Sequence, residues 1–127
     1  MRHPGIYIAP SKLGGRGVFT SMPLDKGELI EVCPVIVLKK GETDIIDKTT
    51  LYDYYFLWGD DQKLCCIALG YGSLYNHNAP SNADYSMDYQ AELIEIFMVR
   101  AVKAGEEITI NYNGDPNDDA PTWFMKK

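Results

Sequence analysis

Gly72-Ser73-Leu74-Tyr75-Asn76-His77-Asn78-Ala79-Pro80-Ser81-Asn82 is the stretch on which the reading of this chain turns. An Asn-His pair is followed by a Pro-x-Asn turn. Downstream lies Gly105-Glu106-Glu107-Ile108-Thr109-Ile110-Asn111-Tyr112, a Gly-Glu-Glu turn leading into an apolar strand that ends in tyrosine. Near the N-terminus stands Leu13-Gly14-Gly15-Arg16-Gly17-Val18-Phe19. Each segment alone is weak. Asn-His-x-x-Pro fits ordinary turns, and Gly-Glu-Glu before an apolar run is a common way into a strand. In this order within one short chain, the three are hard to obtain by accident.

Length and composition set the frame for these motifs. The 127 residues imply one domain with one buried core. Hydrophobic content of 46% and charged content of 24% are ordinary for a soluble globular protein. No apolar run approaches a bilayer span, and the N-terminus lacks an apolar signal region, so a soluble intracellular protein without membrane contact is expected. The three cysteines agree: Cys33 stands alone, and Cys65 and Cys66 are adjacent, facing opposite ways if on a strand. No Cys-x-x-Cys or Cys/His cluster exists, so no metal is expected and the thiols read as small hydrophobes. Twelve Lys and Arg against eighteen Asp and Glu give a net charge of −6. Without a basic stripe, direct nucleic-acid binding is disfavoured. An acidic surface suits a basic partner such as a lysine-rich peptide, although solubility alone accounts for the same charge.

Glycine and proline punctuate the chain throughout, and the runs between them predict a mainly β fold. Strands are expected over 6–9, 17–20, 28–32 and 35–38, with Pro34 marking a bend or an edge. Residues 42–50 have helical character, and 51–58, dense in aromatics, read as a helix turn or a strand. Further strands are expected over 63–69, 92–99 and 108–112. Residues 70–77 read as turns, 113–120 as an irregular loop, and His3 as part of a frayed terminus without a role.

Taken together, the three motifs resemble the core of the SET-domain protein lysine methyltransferases. The resemblance runs from about residue 6 to residue 112, leaving 113–127 as a tail or lid. It is nearest to the minimal viral and bacterial SET proteins that consist of little else. It implies a β-clip-like fold of small curved sheets with a C-terminal pseudoknot, in which the last segment threads under an earlier loop. True knots are rare, so pattern rules alone do not lead to this topology. The implied reaction moves methyl groups from S-adenosyl-L-methionine to a lysine amine of a protein, possibly a basic histone-like tail, leaving S-adenosyl-L-homocysteine. A bacterial member would be cytoplasmic, and a viral one would reach a host nucleus. The alternative is a catalytically inactive SET-fold interaction module.

The resemblance also implies roles. Gly15-Arg16-Gly17 matches the family's Gly-x-Gly element beside the cofactor's methionine part, where a missing Cβ allows close approach. Arg16 stands where relatives place an aromatic. Asn76 would bond the cofactor's amino-acid end and the His77 region its adenine edge, neither acting as a base or metal ligand. Pro80 and Asn82 form the turn that ties down the loop. Tyr112 matches the catalytic tyrosine and also lies against cofactor and substrate. Tyr54, with Tyr55 as the register alternative, matches the lysine channel, and Tyr75 either packs or lines it. Ile110, two residues before Tyr112, stands where some relatives use Phe or Tyr to limit methylation, which leaves room for di- or trimethylation. Trp123 and Phe124 either cover the adenine or pack as a tail. So small a domain could also use a homodimer to complete its peptide groove.

Overall fold

The computed structural model describes residues 1–119, so Trp123 and Phe124 lie outside the described residues. In chain order the elements are β1 (Ile6–Pro10), β2 (Arg16–Thr20), β3 (Leu29–Val37), α1 (Glu42–Ile46) and a 3-10 turn (Thr50–Asp53). There follow β4 (Phe56–Trp58), β5 (Leu64–Ala68), a second 3-10 turn (Gly72–Leu74) and β6 (Asn76–His77). The last strands are β7 (Ala83–Asp88), β8 (Leu93–Met98) and β9 (Glu107–Ile110). They form two sheets, one ordered β1-β2-β9-β6 and the other β4-β5-β3-β8-β7. The aromatic run 51–58 thus divides between both expected forms, a 3-10 turn and then a strand.

Alternating side chains explain the strands. In β8, Ile94, Ile96 and Met98 are buried and the residues between them are not, the period of two expected of a sheet with one covered face. Val18, Ile108 and Ile110 from the first sheet join Ile30, Cys33, Ile94 and Ile96 from the second in one core. Each fully buried aliphatic side chain there contributes about 1.5–3 kcal/mol. The three cysteines are buried free thiols.

Three expectations change. β3 runs unbroken through Pro34, but it pairs with β8 over Leu29–Pro34 and with β5 over Val35–Val37. Proline therefore stands where one ladder hands over to the other, so its missing N–H interrupts neither. The N-terminus is not frayed: the Val32 amide donates to Met1 O at 2.8 Å and the His3 amide to Ile30 O at 2.7 Å. His3 Nε2 lies 3.1 Å from Glu28 Oε2. Finally, β7 forms where no strand was expected. Among the described residues no helix is long and apolar enough to cross a membrane.

Candidate active site

The site is built where the C-terminal segment lies against the 76–82 loop. β6 pairs in parallel with β9, Asn76 against Thr109 and His77 against Ile110. The Asn78 amide donates to Ile110 O at 3.1 Å and the Ser81 amide to Pro116 O at 2.9 Å. The side chain of Asn82 completes the junction. Its Nδ2 donates to Glu107 O at 2.8 Å, and its Oδ1 accepts the Thr109 amide at 2.8 Å. These bonds knit the late strand to the earlier loop along its length, as the expected pseudoknot requires.

The same junction brings His77 to Tyr112. His77 Nδ1 accepts the Tyr112 amide at 3.0 Å, and the two rings lie 5.2 Å apart. An accepting Nδ1 places the proton of the neutral ring on Nε2. Burial lowers the His77 pKa below its ordinary 6.5, opposed by the charge of Asp118. The Tyr112 hydroxyl donates to Tyr75 O at 2.6 Å. Burial, reinforced by Tyr54, Glu107 and Asp53, holds this hydroxyl protonated well above the usual phenol range. Its hydrogen is thus committed to a backbone carbonyl.

Asn76 is held from the opposite side. Its Nδ2 donates to Arg16 O at 3.0 Å and to Glu107 Oε2 at 2.8 Å, leaving Oδ1 as the amide's acceptor. Ser11 Oγ fixes the other carboxylate oxygen of Glu107 at 2.6 Å. Gly17 has no room for a Cβ, which would overlap the Glu107 carboxylate and sit 2.9 Å from Asn76 Nδ2. Gly15 has a different reason: its φ of +54° is one that L side chains rarely adopt, and the space beside it is open. The glycine pattern thus serves a turn at Gly15 and a packed carboxylate at Gly17.

Two cavities meet at this junction. One is a cleft of about 730 Å³ lined by Gly14, Gly15, Arg16, Asn76, His77 and Ala79, among others. The other holds about 170 Å³ and is walled largely by aromatics, including Tyr55, Phe56, Tyr75, Tyr85 and Tyr89. Asp53, Tyr54, Ser73 and Tyr112 line both. Tyr54 therefore stands at the junction. Tyr55 borders only the smaller cavity and spends its hydroxyl on Asp47 at 2.9 Å.

Most of the expected residues come together here: Gly15, Arg16, Asn76, His77, Tyr54 and Tyr112 line one cavity or both. Gly17 lies behind them. Tyr75 borders the smaller cavity but is only 1% exposed, and its hydroxyl turns away to Glu31 at 2.8 Å. Ile110 is not brought in. It is fully buried in the core and lines neither cavity, so its placement does not support the expected position in the lysine channel. Glu107, Ser73, Tyr85 and Met87 were not anticipated. Glu107 was visible only as half of a turn motif, and the other three needed the fold to bring them near Tyr112. Among the described residues no group of three or more His, Cys, Asp or Glu could hold a metal ion.

The SET domain family model matches residues 15–113, which include every residue of this junction from Gly15 to Tyr112. The chain belongs to the SET-domain family. A Schizosaccharomyces pombe relative, histone-lysine N-methyltransferase, H3 lysine-37 specific, is 32% identical over 108 residues, covering 84% of this chain and 72% of that protein. Among solved structures, a Plasmodium falciparum protein described as a candidate histone methyltransferase matches with a TM-score of 0.65 and 30% identity. That match covers 84% of this SET domain chain and 96% of the other. A humanized Chaetomium thermophilum Polycomb Repressive Complex 2, bound to the inhibitor GSK126, matches with a TM-score of 0.71. Its 19% identity, over 92% of this chain and 16% of that one, speaks for the SET fold alone. Family and relatives together support protein lysine methylation as the activity.

Proposed function

We propose that this SET protein is an S-adenosyl-L-methionine-dependent protein-lysine N-methyltransferase acting on a lysine within a basic protein segment. The observation that carries the reading is the pair of adjacent cavities that share Asp53, Tyr54, Ser73 and Tyr112 in their walls. A two-substrate transfer needs its partners to meet at one point from separate approaches.

The larger cleft fits the cofactor. Its size lies within the range of small-ligand pockets, about 300–1,000 Å³. The open turn at Gly14 and Gly15 leaves space beside the backbone, and Asn76 Oδ1 is the acceptor a ligand amine needs. Gly15, Arg16, Asn76, His77 and Tyr112 would hold it. When bound, the cofactor supplies a methyl group already activated by a sulfonium and leaves as S-adenosyl-L-homocysteine.

The chain's own residues orient and desolvate. Tyr54, Tyr85 and Phe56 supply walls for the alkyl stem of a lysine, and their ring faces attract its ammonium end. That amine, with an ordinary pKa of about 10.4, passes its proton to water before attack. Tyr112 presents an oxygen acceptor where positive charge gathers at the junction, a preorganised dipole. His77 holds the Tyr112 backbone and takes no proton from the substrate.

Tyr112→Phe tests the reading. Methyl transfer to a lysine peptide should fall about 10²- to 10³-fold, with S-adenosyl-L-homocysteine affinity by calorimetry nearly unchanged. Unchanged transfer removes Tyr112 from the catalytic role. A wild-type protein that binds the cofactor yet methylates no protein would instead mark an inactive interaction module.

A further inference from the structure

We propose that Glu31 is a positioning residue for Tyr112, acting through Tyr75; this rests on the reading of Tyr112 as the catalytic tyrosine. Glu31 lies on β3, inside the molecule, and is only 2% exposed. A buried carboxyl group is unfavourable unless it is bonded. Two of its bonds reach one segment, the approach to Asn76-His77, and a third involves the Cys33 thiol on its own strand. Its Oε2 accepts the Tyr71 amide at 2.9 Å, and its Oε1 accepts the Tyr75 hydroxyl at 2.8 Å. Gly70, at φ +64°, has no room for a Cβ beside Oε2. The Arg2 guanidinium covers the outer side of the segment, 3.8 Å from the Tyr71 ring centre.

Tyr75 therefore works from two ends. Its side chain is tied inward to Glu31, while its carbonyl accepts the Tyr112 hydroxyl at 2.6 Å. The orientation of that carbonyl decides where the phenol hydrogen points, and hence which way the oxygen lone pairs face at the junction of the cavities. A side-chain anchor sunk in the core sets this orientation more firmly than a surface turn would. The relay runs from core carboxylate to tyrosine hydroxyl, through one residue to its own carbonyl, and on to the reacting phenol. Phenylalanine at 75 would fill the same space and lose the anchor.

Two readouts on Tyr75→Phe and Glu31→Gln test the relay. Glu31→Gln replaces two acceptor oxygens by one. In Tyr75→Phe, kcat should fall about 10-fold while KM for peptide and cofactor stays within about 2-fold. Independently of activity, the Cζ resonance of Tyr112 in protein carrying ¹³C-labelled tyrosine should move in both variants. It should not move in Tyr7→Phe, an exposed position on β1. A lower melting temperature with kcat and the Tyr112 resonance unchanged would make the pair merely structural and overturn the proposal. If the wild type transfers no methyl group, the catalytic reading fails instead, and the resonance alone supports or overturns the relay.

Discussion

At His77 the imidazole holds a backbone amide, that of Tyr112. Its Nδ1 can accept from Tyr112 only while unprotonated, and burial favours that neutral form. The sign follows from the lowered pKa. The unfolded chain takes up a proton near the ordinary 6.5 and the folded chain only below it. The stabilising contribution is complete above that value and is lost as pH falls from it through the lower folded-state pKa. Melting temperature should therefore drop between about pH 7.5 and about pH 5.5, and the drop should shrink in His77→Gln, with His3 present in both. Equal slopes in the two proteins would refute the assignment. The sequence denied His77 the part of base or metal ligand and set its region beside a cofactor, but did not reveal this bond. The bond joins β6 to the turn beyond β9, 35 residues apart in sequence.

Among the elements, β9 and the 76–82 loop depend on one asparagine. Asn82 both donates to and accepts from the β9 backbone, so Asn82→Ala leaves Glu107 O and the Thr109 amide without these partners. Chemical denaturation should show a loss of about 1–3 kcal/mol, two part-buried hydrogen bonds. S-adenosyl-L-homocysteine binding by calorimetry should weaken with it; full stability in the variant would exclude the tie. Strand existence was largely legible, because β1, β2, β5 and β8 carry apolar residues between turn residues. β7 was missed although Ala83, Tyr85 and Met87 alternate with polar residues, because Asp84 and Asp88 disfavour a strand by propensity. Missing it meant missing Tyr85 and Met87, which line the smaller cavity. Ile110 was expected at the channel from its family position two residues before Tyr112, whereas it lies buried and lines neither cavity. An expected strand through Tyr112 puts 110 and 112 on one face, but β9 ends at Ile110 and the next backbone bonds go elsewhere, so the alternation is broken. The Asn-His pair and Tyr112 were legible as motifs, whereas Glu107 and Glu31 gain meaning only from three-dimensional packing.

For the molecule as a whole, the net charge of −6 bears on the proposed basic substrate. Attraction over the surface raises encounter rates and is screened over about 8–10 Å at ordinary salt. Raising ionic strength from about 0.05 to about 0.5 M should increase KM for a lysine-rich peptide several-fold and leave kcat little changed. A salt-independent KM would mean that the acidic surface serves solubility only. The strand order carries a consequence for synthesis. β9 is an interior strand, flanked by β2 and β6, although it is the last strand among the described residues. A ribosome-bound chain that has not yet reached Glu107 holds β2 and β6 apart, each with an unsatisfied edge open to wrong partners. The wall that β9 and Tyr112 give the cleft thus arrives in one late event, and a product cut short before Glu107 would carry exposed edges with no joined site between them.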